Sequence, residues 1–211
     1  ISISMIVFYL SFGLIEKNLN VFSFDISNNN KKMPYTHWIM MGMTERDSYR
    51  EGKKFIGWYN PDSVNYTLSY KTTDSRKNAN VKKIKEQFKD YGVLNYTTFL
   101  YRKMLFTWSD GTYYAPALLN DSLMHGESLI SNLFQMKGKY INITVIHNTS
   151  LMVLMYIMIL IGAIKSIRKK ENKINVCYIS LFGVLLFFLL WESSSRYLIN
   201  YMPIIIVSSM N

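Results

Sequence analysis

The stretch from Leu185 to Pro203, LLFFLLWESSSRYLINYMP, decides the fold class. It sets a short polar island, Glu192-Ser193-Ser194-Ser195-Arg196, between two apolar segments. A carboxylate and a guanidinium in that setting mark the point where a membrane helix meets water, because ionisable groups avoid hydrocarbon unless they reach the interface or a cavity. Glu192 and Arg196 fall on one face at i and i+4 if the island continues the helix, so the carboxylate could orient the guanidinium.

Working outward, the whole-chain averages of 49% hydrophobic and 18% charged residues conceal a sharp segregation. Apolar residues gather at the two ends, whereas the middle, from about Glu16 to Tyr140, carries nearly all the charge. The runs Ser150 to Ile164 and Ile174 to Trp191 hold no charged residue. Runs near the roughly 20 residues that cross hydrocarbon predict transmembrane helices. Between them lies Lys165-Ser166-Ile167-Arg168-Lys169-Lys170-Glu171-Asn172-Lys173, a short basic loop expected in the cytoplasm by the positive-inside rule. The island, and the long middle segment, then lie on the opposite, outer face.

The opening ISISMIVFYLSFGLI is an apolar run without a charged region before it or a small-residue cleavage site after it, and reads as the exit end of a truncated membrane helix. The expected class is therefore all-α: a polytopic α-helical membrane protein fragment with an extracytoplasmic helical domain. Its divisions are a truncated helix at 1–15, an extracytoplasmic domain at 16–142, and transmembrane helices at 143–211 with the basic loop at 165–173. The expected location is the cell membrane, multi-pass, with the large segment outside.

Inside the middle segment, Pro34 to Met43 is apolar and aromatic but too short to span, and reads as re-entrant, interfacial or packed under the outer domain. Gly57-Trp58-Tyr59-Asn60-Pro61-Asp62 is turn chemistry, after which Asp62 or Ser63 would cap a helix to about Thr72. Val81, Ile84, Phe88 and Tyr91 recur at helical spacing and Gly92 follows as a stop, predicting a helix over 79–91. Further helices are expected over 96–108, ending at the turn Ser109-Asp110-Gly111-Thr112, and over 118–134. No run of alternating strands is evident.

The formal net charge of +10 would suggest nucleic acid for a soluble domain, but the basic middle has no arginine-rich helix or RNA-binding signature, so no nucleic-acid partner is expected. Membrane lipid is the partner that charge favours. The single cysteine, Cys177, permits no intrachain disulfide, and His37, His125 and His147 lack metal-ligand spacing, so neither metal nor cofactor is expected. Asparagine-rich sequons such as Asn65-Tyr66-Thr67 are matched by composition alone.

The candidate site residues each carry two readings. Arg196 suits a lipid phosphate or serves only as an interfacial anchor. His37 and Trp38 supply a titratable group and a ring that stacks on sugar, or simply an aromatic belt. Arg102, Lys103 and the segment Trp108-Ser109-Asp110-Gly111 line a groove for an anionic substrate, or form a solvated helix face followed by a turn.

Trp191-Glu192 through Arg196-Tyr197-Leu198 to Pro203 resembles the RYLLPLLP segment of multi-spanning glycosyltransferases of the GT-C fold. Thr36 to Gly42 and Gly57 to Asn60 further resemble the outer region of Gram-positive membrane proteins grouped with them. The resemblance implies transfer of a sugar from a polyprenyl-phosphate donor to a cell-surface glycopolymer, with Arg196 binding the carrier phosphate and Glu192 beside it. It places the acidic catalytic residue in an early outer loop, before Ile1, and Asn200 stands where that family often has proline. A lipid-linked polysaccharide polymerase or flippase-like protein would use the same basic residues without that chemistry, and a non-catalytic membrane scaffold would need none of them.

Overall fold

A computed structural model describes residues 32–48, 54–120, 128–169 and 172–210. The expected helix at 1–15, the connection after it and the centre of the basic loop lie outside the described residues. In chain order come α1 (Tyr35–Met41), a hairpin of β1 (Glu45–Asp47) and β2 (Lys54–Ile56), α2 (Pro61–Leu68), α3 (Thr73–Trp108) and α4 (Ala115–Asn120). There follow α5 (Leu129–Phe134), α6 (Ile141–Lys169), α7 (Asn172–Leu190), a 3-10 stretch (Ser195–Tyr201) and α8 (Met202–Ser209). The described residues are thus helical apart from one small antiparallel ladder, in which Arg46 faces Phe55.

Local chemistry sets the boundaries. Asn60 caps α2, its side-chain oxygen accepting from the Asp62 N–H at 2.9 Å, because Pro61 presets the first helical φ and has no donor to satisfy. The cap is therefore not Asp62 or Ser63, and the helix ends at Leu68, short of Thr72. Thr72 and Ser75 close a reciprocal capping box, so α3 starts six residues before the predicted Ala79. Gly92, at φ 65° and ψ 169°, breaks α3 in two, since this backbone region is essentially closed to residues with a Cβ. Tyr91, Tyr96 and Phe99 pack across the break, with ring centroids 5.1 to 6.0 Å apart, and bury Phe99.

Among the membrane elements, Ile141–Arg168 is long and apolar enough to cross a bilayer. Its flanks expose Ile146, Leu151, Leu154, Ile157, Leu160 and Ile164, a stripe that a water-soluble surface would not carry. The apolar part of α7, Val176–Leu190, is shorter. After the island the chain makes the 3-10 stretch and then α8. α8 packs against both α6 and α7, burying Ile205.

The polar head, built from α1 to α3 and the hairpin, seats directly on the end of α7. A Cβ on Gly42 would stand 2.7 Å from the Trp191 carbonyl carbon and 2.9 Å from the Leu190 oxygen, so the two backbones touch only because Gly42 has no side chain. Gly42→Ala is expected to lower stability by about 1–3 kcal/mol through overpacking. Gly183→Ala, in a glycine with open space around it, should be tolerated. Thermal unfolding of both variants in detergent checks the contrast.

Candidate functional site

The polar island is buried, with Glu192 5%, Ser193 0%, Ser194 2% and Ser195 4% exposed. The head covers it, so the island is closed off from solvent. Glu192 to Ser194 are not helical and the 3-10 stretch starts only at Ser195, so Glu192 and Arg196 do not share a helix face. Buried polar groups need partners. The Glu192 N–H donates to the Trp38 carbonyl at 3.1 Å and the Ser193 N–H to Gly57 at 2.7 Å, which sews the island to α1 and to the turn after β2.

Lys103 completes the joint. Its side chain is fully buried, and Nζ donates to the carbonyls of Gly42 (2.7 Å), Leu189 (3.0 Å) and Trp191 (2.6 Å). All three ammonium protons are used, two of them on the C-terminal end of α7, where orphan carbonyls and the helix dipole favour a cation. Burial pushes the ammonium down to about 7, and nearby Glu192 pulls the other way. Lys103 is therefore a structural clamp in this arrangement, not a groove residue. Its neighbour Arg102 donates to Glu45 at 3.0 Å on the surface, and Trp108 packs on Tyr156. These residues do not share one groove: Ser109 and Asp110 border one cavity, and Trp108 with Ser109 borders an apolar one.

His37 and Trp38 part company. His37 is fully buried among α1, α2 and α3, with Nδ1 2.7 Å from the Thr67 hydroxyl, which donates onward to Asn80 at 3.0 Å. Since that hydroxyl spends its proton on Asn80, His37 carries its own on Nδ1, and Nε2 has no partner among the described residues. Burial lowers its pKa below the ordinary 6.5. Trp38, whose ring meets the His37 ring edge-on at 5.0 Å between centroids, instead lines a cavity of about 320 Å³ with Phe187, Phe188, Trp191, Tyr197 and Tyr201. Trp38 and Phe187 both stack on Trp191, at 6.5 and 5.3 Å between centroids, and Phe188 stacks on Tyr197 at 6.0 Å.

Glu192 and Asn200 supply polar groups to that cavity. The Tyr197 hydroxyl donates to Glu192 Oε1 at 3.1 Å and accepts from an Arg196 terminal nitrogen at 3.5 Å, so a tyrosine bridges the pair that the sequence placed in direct contact. Burial pushes the Glu192 carboxyl up, against the opposing pull of Tyr197, Arg196 and Lys103. The Arg196 guanidinium lies over the Tyr197 ring at 5.2 Å, and its Nε is buried with no acceptor among the described residues.

A second cavity, of about 410 Å³, lies on the other side of the island. Asp110 organises it without being available for chemistry. Its two oxygens accept from the Thr112 N–H and hydroxyl, the Tyr114 N–H and the Ser195 hydroxyl, filling the roughly four lone-pair positions of a carboxylate. These bonds hold Tyr113 and Tyr114 at φ 53° and 64°, a left-handed pair of residues that ordinarily avoid it. Sequence reasoning found the turn at Asp110 but not its reach to Ser195, since nothing local links positions 85 residues apart.

Over residues 1–210 the sequence matches the family described as conserved hypothetical integral membrane protein. The chain belongs to this family. It is thus a membrane protein, in which α6 is a transmembrane helix and the exposed apolar stripe faces lipid. Neither a curated protein nor a solved structure matches it.

The histidine network sets a pH dependence. Above about 6.5, His37 is neutral folded or unfolded; below it the unfolded chain takes up a proton that the folded chain resists, so stability falls with pH from there downward. His37→Gln should flatten the fall in unfolding midpoint between pH 7.5 and 5.5, measured by thermal unfolding in detergent.

Proposed function

We propose that this protein is a membrane glycosyltransferase that takes a sugar from a polyprenyl-phosphate donor and passes it to a cell-surface glycopolymer. The observation that carries the reading is the buried Arg196 Nε, without an acceptor among the described residues, on a guanidinium that lies over Tyr197, a wall of an aromatic cavity that holds a carboxylate. A guanidinium stays protonated at all physiological pH, and a buried charged donor without an acceptor is costly. A phosphate oxygen would remove that cost. Aromatic faces with a few polar groups suit a sugar, whose apolar ring face stacks while its hydroxyls seek acceptors such as Glu192.

Two further features support a lipid-borne donor. A groove of about 610 Å³, lined almost wholly by apolar side chains such as Leu105, Val153, Ile159, Leu181 and Ile205, opens among α3, α6, α7 and α8 and suits an isoprenoid chain. The family's membrane character supplies the lipid phase.

In the proposed reaction an acceptor hydroxyl oxygen attacks the anomeric carbon. The bond from that carbon to the phosphate oxygen breaks, the electron pair leaves on the phosphate, and Arg196 stabilises the charge. The hydroxyl proton passes to a carboxylate. Of the carboxylates bordering the two cavities, Asp110 has no free acceptor position, whereas Glu192 Oε2 has no hydrogen bond among the described residues and its raised pKa suits a base.

Arg196→Lys keeps the charge and the snorkelling stem but loses the planar fork, worth about 1–3 kcal/mol for a charge-assisted bond. Binding of an undecaprenyl-phosphate analogue by the purified variant should therefore weaken about five- to hundredfold, at about 1.4 kcal/mol per factor of ten. Equal affinity at matched folding would return Arg196 to the role of interfacial anchor and remove the donor site.

A further inference from the structure

We infer that the cavity between Trp58 and the island serines is a second carbohydrate subsite, taking a neutral, hydroxyl-rich ring. Its role as holder of a remote ring of the glycopolymer acceptor rests on the transferase reading, whereas its occupancy by sugar does not.

Position is the first argument. Glu192 and Tyr197 border the aromatic cavity, while Ser194 and Ser195, between them in sequence, border the other. The chain is extended at Ser194, at φ −153° and ψ 144°, where it passes from one cavity to the other. One strip of backbone therefore presents polar groups to two cavities at once. A polymer several rings long can be gripped at one while it reacts near the other.

Charge is the second. The charged residues of the lining are Asp110, whose acceptor positions are filled, and Lys54, whose Nζ lies 3.7 Å from a Glu45 carboxylate that Arg102 also engages. Arg46, nearby, donates to the Tyr59 carbonyl at 3.0 Å and covers the Phe55 ring at 4.7 Å. Among the described lining residues the one cation, Lys54, is paired and the other charge is a carboxylate, which disfavours an anion.

Chemistry is the third. The walls pair aromatic faces, Trp58 against Tyr114 at 5.0 Å, with the hydroxyls of Ser194 and Thr149. The Trp58 indole N–H is buried with no acceptor among the described residues, and the Ser194 hydroxyl forms no hydrogen bond among them. The backbone strain at Tyr113 and Tyr114 is spent holding this wall in place, as strained residues at binding sites commonly are. At about 410 Å³ the cavity falls in the range of small-molecule sites, about 300–1,000 Å³.

The test uses the purified full chain in detergent and calorimetric titration with neutral tetrasaccharides of glucose, galactose and N-acetylglucosamine, with a sulfated tetrasaccharide as the anionic comparison. At least one neutral probe should bind, more tightly than the sulfated one. Trp58→Leu should weaken it tenfold or more, and the near-isosteric Thr149→Val severalfold, with undecaprenyl-phosphate binding unchanged in both. Arg196→Lys should do the reverse. Failure of every neutral probe to bind, preference for the sulfated one, or undiminished binding by Thr149→Val overturns the subsite. Loss of the Arg196 effect alone overturns the donor reading and leaves the subsite standing.

Discussion

Three carbonyl oxygens from two distant parts of the chain close around one ammonium, and the placement of everything else follows from it. Lys103 reaches back 61 residues to Gly42 and forward 86 and 88 residues to Leu189 and Trp191. Burying an ammonium is expensive unless each proton has an acceptor. The requirement is met only when the head sits squarely on the end of α7. Gly42, which tolerates no Cβ, and Gly57, whose own Cβ would fall 2.4 Å from the Lys103 Cε, are the steric counterparts of that electrostatic demand.

With the head fixed, the island becomes an interior strip instead of an interfacial loop. Its backbone bonds to α1 and to Gly57 hold it extended, and its side chains then divide between two cavities of different character. On one side stand aromatic rings and a carboxylate with raised pKa, linked through Tyr197 to a guanidinium whose Nε has no acceptor among the described residues, the setting of the proposed donor site. On the other stand the Trp58 and Tyr114 rings and the hydroxyl-bearing Ser194 and Thr149, the setting of the proposed second subsite. The clamp is structural, yet it creates the asymmetry on which the functional proposal depends.

Much of the framework is legible in the sequence because it rests on local rules. The charge-free run within α6 announces a span, and Gly92 announces a helix break because its φ is closed to other residues. The two hairpin strands, three residues each, are too short to show alternation. The α3 cap was hidden because Ser75 replaces the Glu or Gln that usually signals a capping box. Among the candidate site residues, Trp38 and Glu192 line one cavity, and Arg196 reaches Glu192 through Tyr197, a bridge without a local sequence signal. Lys103 was misjudged because a lysine in an amphipathic helix ordinarily faces solvent, and only long-range carbonyls, which carry no sequence signature, can draw it inside.

Adjacent residues on one helix offer the most direct test. Lys103→Met removes three buried donors and leaves their carbonyls unmatched, a loss of about 3 kcal/mol or more. Arg102→Met removes only a half-exposed surface pair with Glu45, worth about 0–1 kcal/mol. Thermal unfolding of the two variants in the same detergent should show a much larger fall for Lys103→Met, accompanied by protease sensitivity of the head. Equal, small shifts in both would contradict the clamp, and with it the buried island and the two cavities it separates.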